Sequence, residues 1–73
     1  MDYIVREYDG ANELVDVFES KDSLIYYVKD LVRNFNIEMM RENQPDKIIR
    51  KDIRTIGECQ NVLYGLGYTL ELK

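Results

Sequence analysis

The chain has no histidine and no tryptophan, and only one cysteine, one proline and four glycines among its 73 residues. Without histidine it lacks the usual general base near neutral pH, the usual partner of a nucleophilic serine or cysteine, and the commonest zinc ligand. The expectation is therefore a protein that is not an enzyme, with no catalytic residue, no cofactor and no metal. One cysteine cannot close an intrachain disulfide or form a metal site by itself, so packing alone must hold the fold. No apolar run approaches the roughly 18 residues of a membrane span, the longest being Leu24-Ile25-Tyr26-Tyr27-Val28. The opening Met1-Asp2-Tyr3-Ile4-Val5-Arg6-Glu7 lacks the basic-then-apolar layout of a signal peptide, which points to the cytoplasm and to no membrane partner. There is no internal repeat, low-complexity segment or linker composition, so residues 1–73 are expected to form a single domain. A chain this short buries only about 60% of its unfolded surface, which leaves a thin core.

What the chain does have is segregated charge. Its net charge is −4. Residues 1–40 carry four cations against nine carboxylates, whereas residues 41–54 carry five cations (Arg41, Lys47, Arg50, Lys51, Arg54) against three carboxylates (Glu42, Asp46, Asp52). An acidic half and a basic stretch of this kind suit contact with a macromolecule.

Taken in order, the chain reads as an α+β domain in two layers. Tyr3-Ile4-Val5-Arg6-Glu7-Tyr8 is rich in aromatic and β-branched residues, Asp9-Gly10 is a hairpin-turn dipeptide, and Leu14-Val15-Asp16-Val17-Phe18 follows, which predicts an N-terminal β-hairpin. A two- or four-residue loop groups Ile4, Tyr8, Val15 and Val17 on one face, whereas a three-residue loop groups Ile4, Tyr8, Leu14 and Phe18. Either way apolar residues remain on both faces, and one face is expected to meet a second chain or a folded-back segment. Ser20 is a natural N-cap, and Leu24, Val28, Leu31 and Phe35 recur at helical spacing, so a first helix is predicted over about residues 21–34, ended by Asn34-Phe35-Asn36. Residues 36–44 read as a loop with a helical turn. Pro45 at a first-turn position and Gly67 at a cap position bracket a predicted second helix over Pro45–Gly67, with Ile49, Ile53, Ile56, Leu63 and the Cys59–Gln60 edge forming its apolar stripe. Tyr68-Thr69-Leu70-Glu71-Leu72 alternates as a half-buried C-terminal strand that must pair with the hairpin, completing a ββααβ order.

Three features are candidates for function. Lys47, Arg50, Lys51 and Arg54 recur at offsets of three, four and seven, which on a helix would line phosphates or face an acidic partner, although Asp46–Arg50 and Arg54–Glu58 pairing could instead make this an internally balanced solvated face. The carboxylates of the hairpin, with Asp9 and Glu13 at its tip, could occupy a cationic groove that otherwise takes nucleic acid, or could serve solubility alone. Six tyrosines supply rigid amphipathic contact area. Tyr26 and Tyr27 project about 100° apart on the first helix, so at least one is expected to be exposed. Cys59 reads as a buried, inert thiol. These observations lead to the expectation of a small non-enzymatic regulator or inhibitor that binds a protein, including an acidic nucleic-acid mimic of phage or mobile-element type, and that is compatible with a homodimer. The alternative reading is a nucleic-acid binder that uses the basic helix face.

Overall fold

The computed structural model of the chain describes residues 2–9 and 12–73, leaving aside the side chains of Tyr8, Asp9 and Asn12. Strands β1 (Tyr3–Asp9) and β2 (Asn12–Phe18) pair antiparallel, with Tyr3 opposite Phe18 and Asp9 opposite Asn12. Two residues therefore connect them, and the Asp9-Gly10 turn itself falls outside the described residues. Of the two groupings the sequence allows, this register selects the first. Ile4, Arg6, Val15 and Val17 share one face, and Tyr3, Val5, Asp16 and Phe18 share the other. Strand β3 (Tyr68–Leu72) pairs antiparallel with β1, Val5 opposite Leu70, giving the sheet order β2-β1-β3 with the first strand in the middle. The Lys73 N–H donates to the Asp2 carbonyl at 2.8 Å, and the Asp2 N–H donates back to the Lys73 carbonyl.

Helix α1 (Lys21–Arg41) starts where the sequence predicts: the Ser20 hydroxyl accepts from the Ser23 N–H at 3.1 Å, and Asp22 lies in the first turn. It does not end at Asn34-Phe35-Asn36. The expected loop over 36–44 is corrected to helix through Arg41, closed by a turn in which Asn43 adopts φ 59°. The reason is the side chain of Asn36. Its amide does not compete with the helix backbone; it donates to the Ile49 carbonyl at 3.0 Å and accepts from the Ile49 N–H at 2.9 Å. The N–H and the C=O of one partly buried residue are thus both satisfied by one asparagine.

The predicted second helix over Pro45–Gly67 is a larger correction. Pro45–Lys47 makes a single 3-10 turn, residues 48–54 run as a non-helical strap across the molecule, and helix α2 spans only Ile56–Gly65. Two features override the helical periodicity. Asn36 holds Ile49 by its backbone groups, which a helix would use internally, and Thr55 starts the helix anew: its hydroxyl accepts from the Glu58 N–H at 3.2 Å, while the Glu58 carboxylate accepts from the Thr55 hydroxyl at 3.1 Å and from the Arg54 N–H at 3.3 Å. At the far end Gly67 takes φ 92°, with its N–H donating to the Tyr64 carbonyl at 3.3 Å, and the chain turns into β3 as expected.

Both helices cover the face of the sheet that bears Val5 and Leu70. Between the layers lie Val5, Leu24, Val28, Val32, Ile53, Cys59, Val62, Leu63 and Leu70, all buried. The apolar residues assigned to the long helix do point inward, with Ile53, Cys59 and Leu63 buried and Ile49 and Ile56 packed against them. The result is an α+β slab of two layers, with principal extents of 39 × 32 × 15 Å. No helix among the described residues is long and apolar enough to cross a membrane.

Candidate functional site

Among the described residues, none forms a layer over the second face of the sheet. Its centre is Arg6 on β1, whose guanidinium meets Glu13 of β2 at 3.1 Å and Glu71 of β3 at 3.5 Å, so one cation ties three strands together. Such partly exposed pairs contribute about 0–1 kcal/mol each, and their larger effect is to fix two carboxylates in place on an open face. Ile4, Val15 and Val17 lie on the same face as Arg6. At the sheet edge, every residue of β2 from Glu13 to Val17 is exposed, with Leu14 at 57%, Val15 at 49% and Val17 at 56%. Glu13 and Asp16 project to opposite faces of this strand, one on each side. Glu13 is therefore an exposed acid on the edge strand. Asp9 occupies the last position of β1, and its side chain lies outside the described residues.

On the helical side of the same hairpin, Tyr27 stacks on Phe18 with ring centroids 4.7 Å apart and interplanar angle 38°, and its hydroxyl donates to the Asp16 carboxylate at 3.5 Å. Burial pushes the Tyr27 hydroxyl up to about 12, with the neighbouring Tyr68 and Asp16 adding to the effect. Burial, then the Glu7 carboxylate it bonds to, raises Tyr68 as well. Both phenols stay protonated and serve as donors to fixed carboxylates. Tyr27 is thus a half-buried anchor, whereas Tyr26, one residue earlier, is 77% exposed. The two differ as their angular separation requires.

The four cations Lys47, Arg50, Lys51 and Arg54 do not share a helix face, because they lie on no α-helix. All four are exposed along the 3-10 turn and the strap. Lys47 and Lys51 flank a groove of about 270 Å³ floored by Phe35, Ile49, Val62 and Leu66; Arg50 and Arg54 do not line it. The expected Asp46–Arg50 pairing is absent among the described residues; Arg54 pairs instead with Asp52 at 3.0 Å, and Glu58 caps the helix start. Lys47, Arg50 and Lys51 hold no ion pair among the described residues.

Cys59 is fully buried, and burial followed by the adjacent Glu58 charge pushes its thiol up, away from the thiolate a nucleophile needs. No group of three metal-ligating side chains converges among the described residues. Sequence reasoning missed the exposed Ile37 and Met40 on α1, because it ended the helix before them. Their spacing of three residues was the available signal. It also passed over Thr55-Ile56-Gly57-Glu58, whose Thr-x-x-Glu pattern marks a helix start. Comparison with protein-family models, with curated proteins and with solved structures finds no match, so the geometry carries the functional argument.

Proposed function

We propose that the chain is a small, non-enzymatic regulator or inhibitor that binds a protein by receiving an extended segment of its partner along the free edge of β2. The observation that supports this most directly is the run Glu13–Val17, exposed throughout on an edge strand of seven residues. An edge of this length offers unpaired backbone groups to another strand; natural proteins blunt such edges with charges, and most firmly with lysine, proline or a bulge, so that Glu13 and Asp16 exclude acidic or identical strands while leaving the edge open to a basic one. Among the described residues, β2 has no lysine, proline or bulge, since its pairing with β1 is uninterrupted and its sequence is Asn12-Glu13-Leu14-Val15-Asp16-Val17-Phe18. Leu14, Val15 and Val17 would supply the apolar contacts. Glu13 and Asp16, three residues apart and one on each face, select a partner strand with two cations at the same spacing and apolar residues at the other positions. An acidic hairpin that engages a basic partner segment is also what a nucleic-acid mimic requires.

The test is titration of the isotope-labelled protein with two synthetic valine-rich peptides, a basic one with lysines three residues apart and an acidic one with glutamates at the same places, followed by amide chemical shifts. The basic peptide is expected to shift the resonances of residues 12–18, the acidic peptide to leave them unmoved, and the pair Glu13→Lys and Asp16→Lys to abolish the response. Absence of any β2 response to the basic peptide counts against the reading. The second reading, a nucleic-acid binder, draws on the exposed Lys47, Arg50 and Lys51. A duplex DNA titration at low salt decides for it if shifts map to residues 47–54 and fade steeply as salt rises.

A further inference from the structure

Helix α1 presents a second uncovered face, independent of the β2 edge. Opposite the side that packs against the core, Tyr26, Arg33, Ile37 and Met40 fall on one stripe. Tyr26 is the most exposed large hydrophobic side chain described, and Ile37 and Met40 are exposed as well. Arg33, Asn36, Ile37 and Met40 stand at positions i, i+3, i+4 and i+7, the four corners of the hole that receives a side chain from a facing helix in knobs-into-holes packing. These four also line a groove of about 480 Å³ with Lys29 and Val32. The chain therefore carries a hole without a knob and, nearly three turns upstream on the same helix, a knob without a hole.

We infer that a second copy of this chain supplies both: two α1 helices pack antiparallel about a two-fold axis, and Tyr26 of each enters the hole formed by Arg33, Asn36, Ile37 and Met40 of the other. A two-fold contact is self-complementary, so placing Tyr26 against Ile37 fixes the remaining pairs, each occurring twice. Asp30 then faces Arg33 of the second copy, and Asp22 faces Arg41. Both are opposite in charge. Sliding the helices to place Tyr26 against Met40 would bring the two Arg33 side chains together on the axis and forfeit both opposite-charge pairs. Within one chain Asp22 and Arg41 are about 28 Å apart along the helix and cannot meet. Within the chain Arg41 pairs with Glu38 at 3.4 Å, and each charge complements the dipole at its own end of the helix. The guanidinium of Arg33, held by Asp30 at 2.7 Å, would lie beside the incoming Tyr26 ring, a favourable cation–aromatic arrangement. A seam about 31 Å long and about one helix wide is smaller than the usual protein interface, so the dimer is expected to dissociate at about micromolar concentration.

Sedimentation equilibrium of the full chain from about 1 μM to about 1 mM spans that range. A concentration-dependent monomer–dimer equilibrium is expected, and Tyr26→Ala should weaken it about tenfold or more while circular dichroism stays unchanged. Asp22→Arg and Arg41→Asp should each weaken association, and the two together should restore it, because the swapped charges again face one another. Glu13→Lys, which alters the β2 edge, should leave the dimer intact. A chain that stays monomeric throughout, a dimer indifferent to Tyr26→Ala, a double swap that fails to restore association, or a dimer abolished by Glu13→Lys would each overturn the assignment.

Discussion

Tyr27 links the sheet to α1 through its ring on Phe18 and its hydroxyl on Asp16, and its titration makes that link measurable. Its hydroxyl is pushed up to about 12 in the folded chain, against about 10 in the unfolded chain. Below about pH 10 the phenol is protonated in both states, and its stabilising effect is fully present. Between about pH 10 and about pH 12 the unfolded chain releases the proton and the folded chain retains it, so stability falls as pH rises through that window. Urea midpoints measured across this range should decline for the native sequence and decline less for Tyr27→Phe. An equal decline in both would detach the effect from Tyr27. Tyr68, also raised by burial and by Glu7, contributes in the same direction.

At the scale of elements, the asparagine–strap contact explains why two helices of the expected kind took unexpected lengths. Replacing Asn36 by leucine keeps side-chain bulk but leaves the partly buried N–H and C=O of Ile49 without their partner. The cost is expected to be about 1–3 kcal/mol in urea unfolding. Hydrogen exchange should localise the change: the Ile49 amide should lose protection while amides within α2 keep theirs, and uniform loss across both would deny the strap its dependence on Asn36. The hairpin, the start of α1 at Ser20, the Gly67 cap and the alternation of β3 were legible because each rests on a local rule of turn, cap or period. The strap was not, because its conformation depends on a side chain thirteen residues away in sequence. Inward placement of Ile53, Cys59 and Leu63 survived the wrong element assignment, since apolar side chains turn to the core from a strap as readily as from a helix. Of the site, the separation of about 100° between Tyr26 and Tyr27 announced that at least one would be exposed but not which, the anchoring of Tyr27 on Phe18 and Asp16 was not legible, and the grouping of the four cations failed with the helix that was to group them.

For the whole molecule, the thin slab has one packed interior and one open sheet face, and substitutions should divide accordingly. A chain of 73 residues is expected to hold about 4–11 kcal/mol of stability in all. Leu63 is fully buried in the shared interior, and Leu63→Ala should cost about 2–5 kcal/mol, a large fraction of that total. Val17, on the uncovered face, is more than half exposed, and Val17→Ala should cost within about 0.5 kcal/mol. Comparison of the two by urea denaturation tests whether the open face contributes to folding or is left for contact. Comparable losses would mean that the sheet is more covered than its geometry indicates.

The pairing of β1 with β3 sets Asp2 and Lys73 side by side. A short linker could therefore join them, with new ends opened in the turn at Glu42–Gln44, which follows α1. The rearranged order would be α2, β3, β1, β2, α1, and the three strands would become a meander in which every strand pairs with its neighbour in sequence. The native order must wait for its last strand to find its first across both helices. The circular permutant would form the same sheet from local contacts alone, with lower contact order and a correspondingly faster route to the folded state.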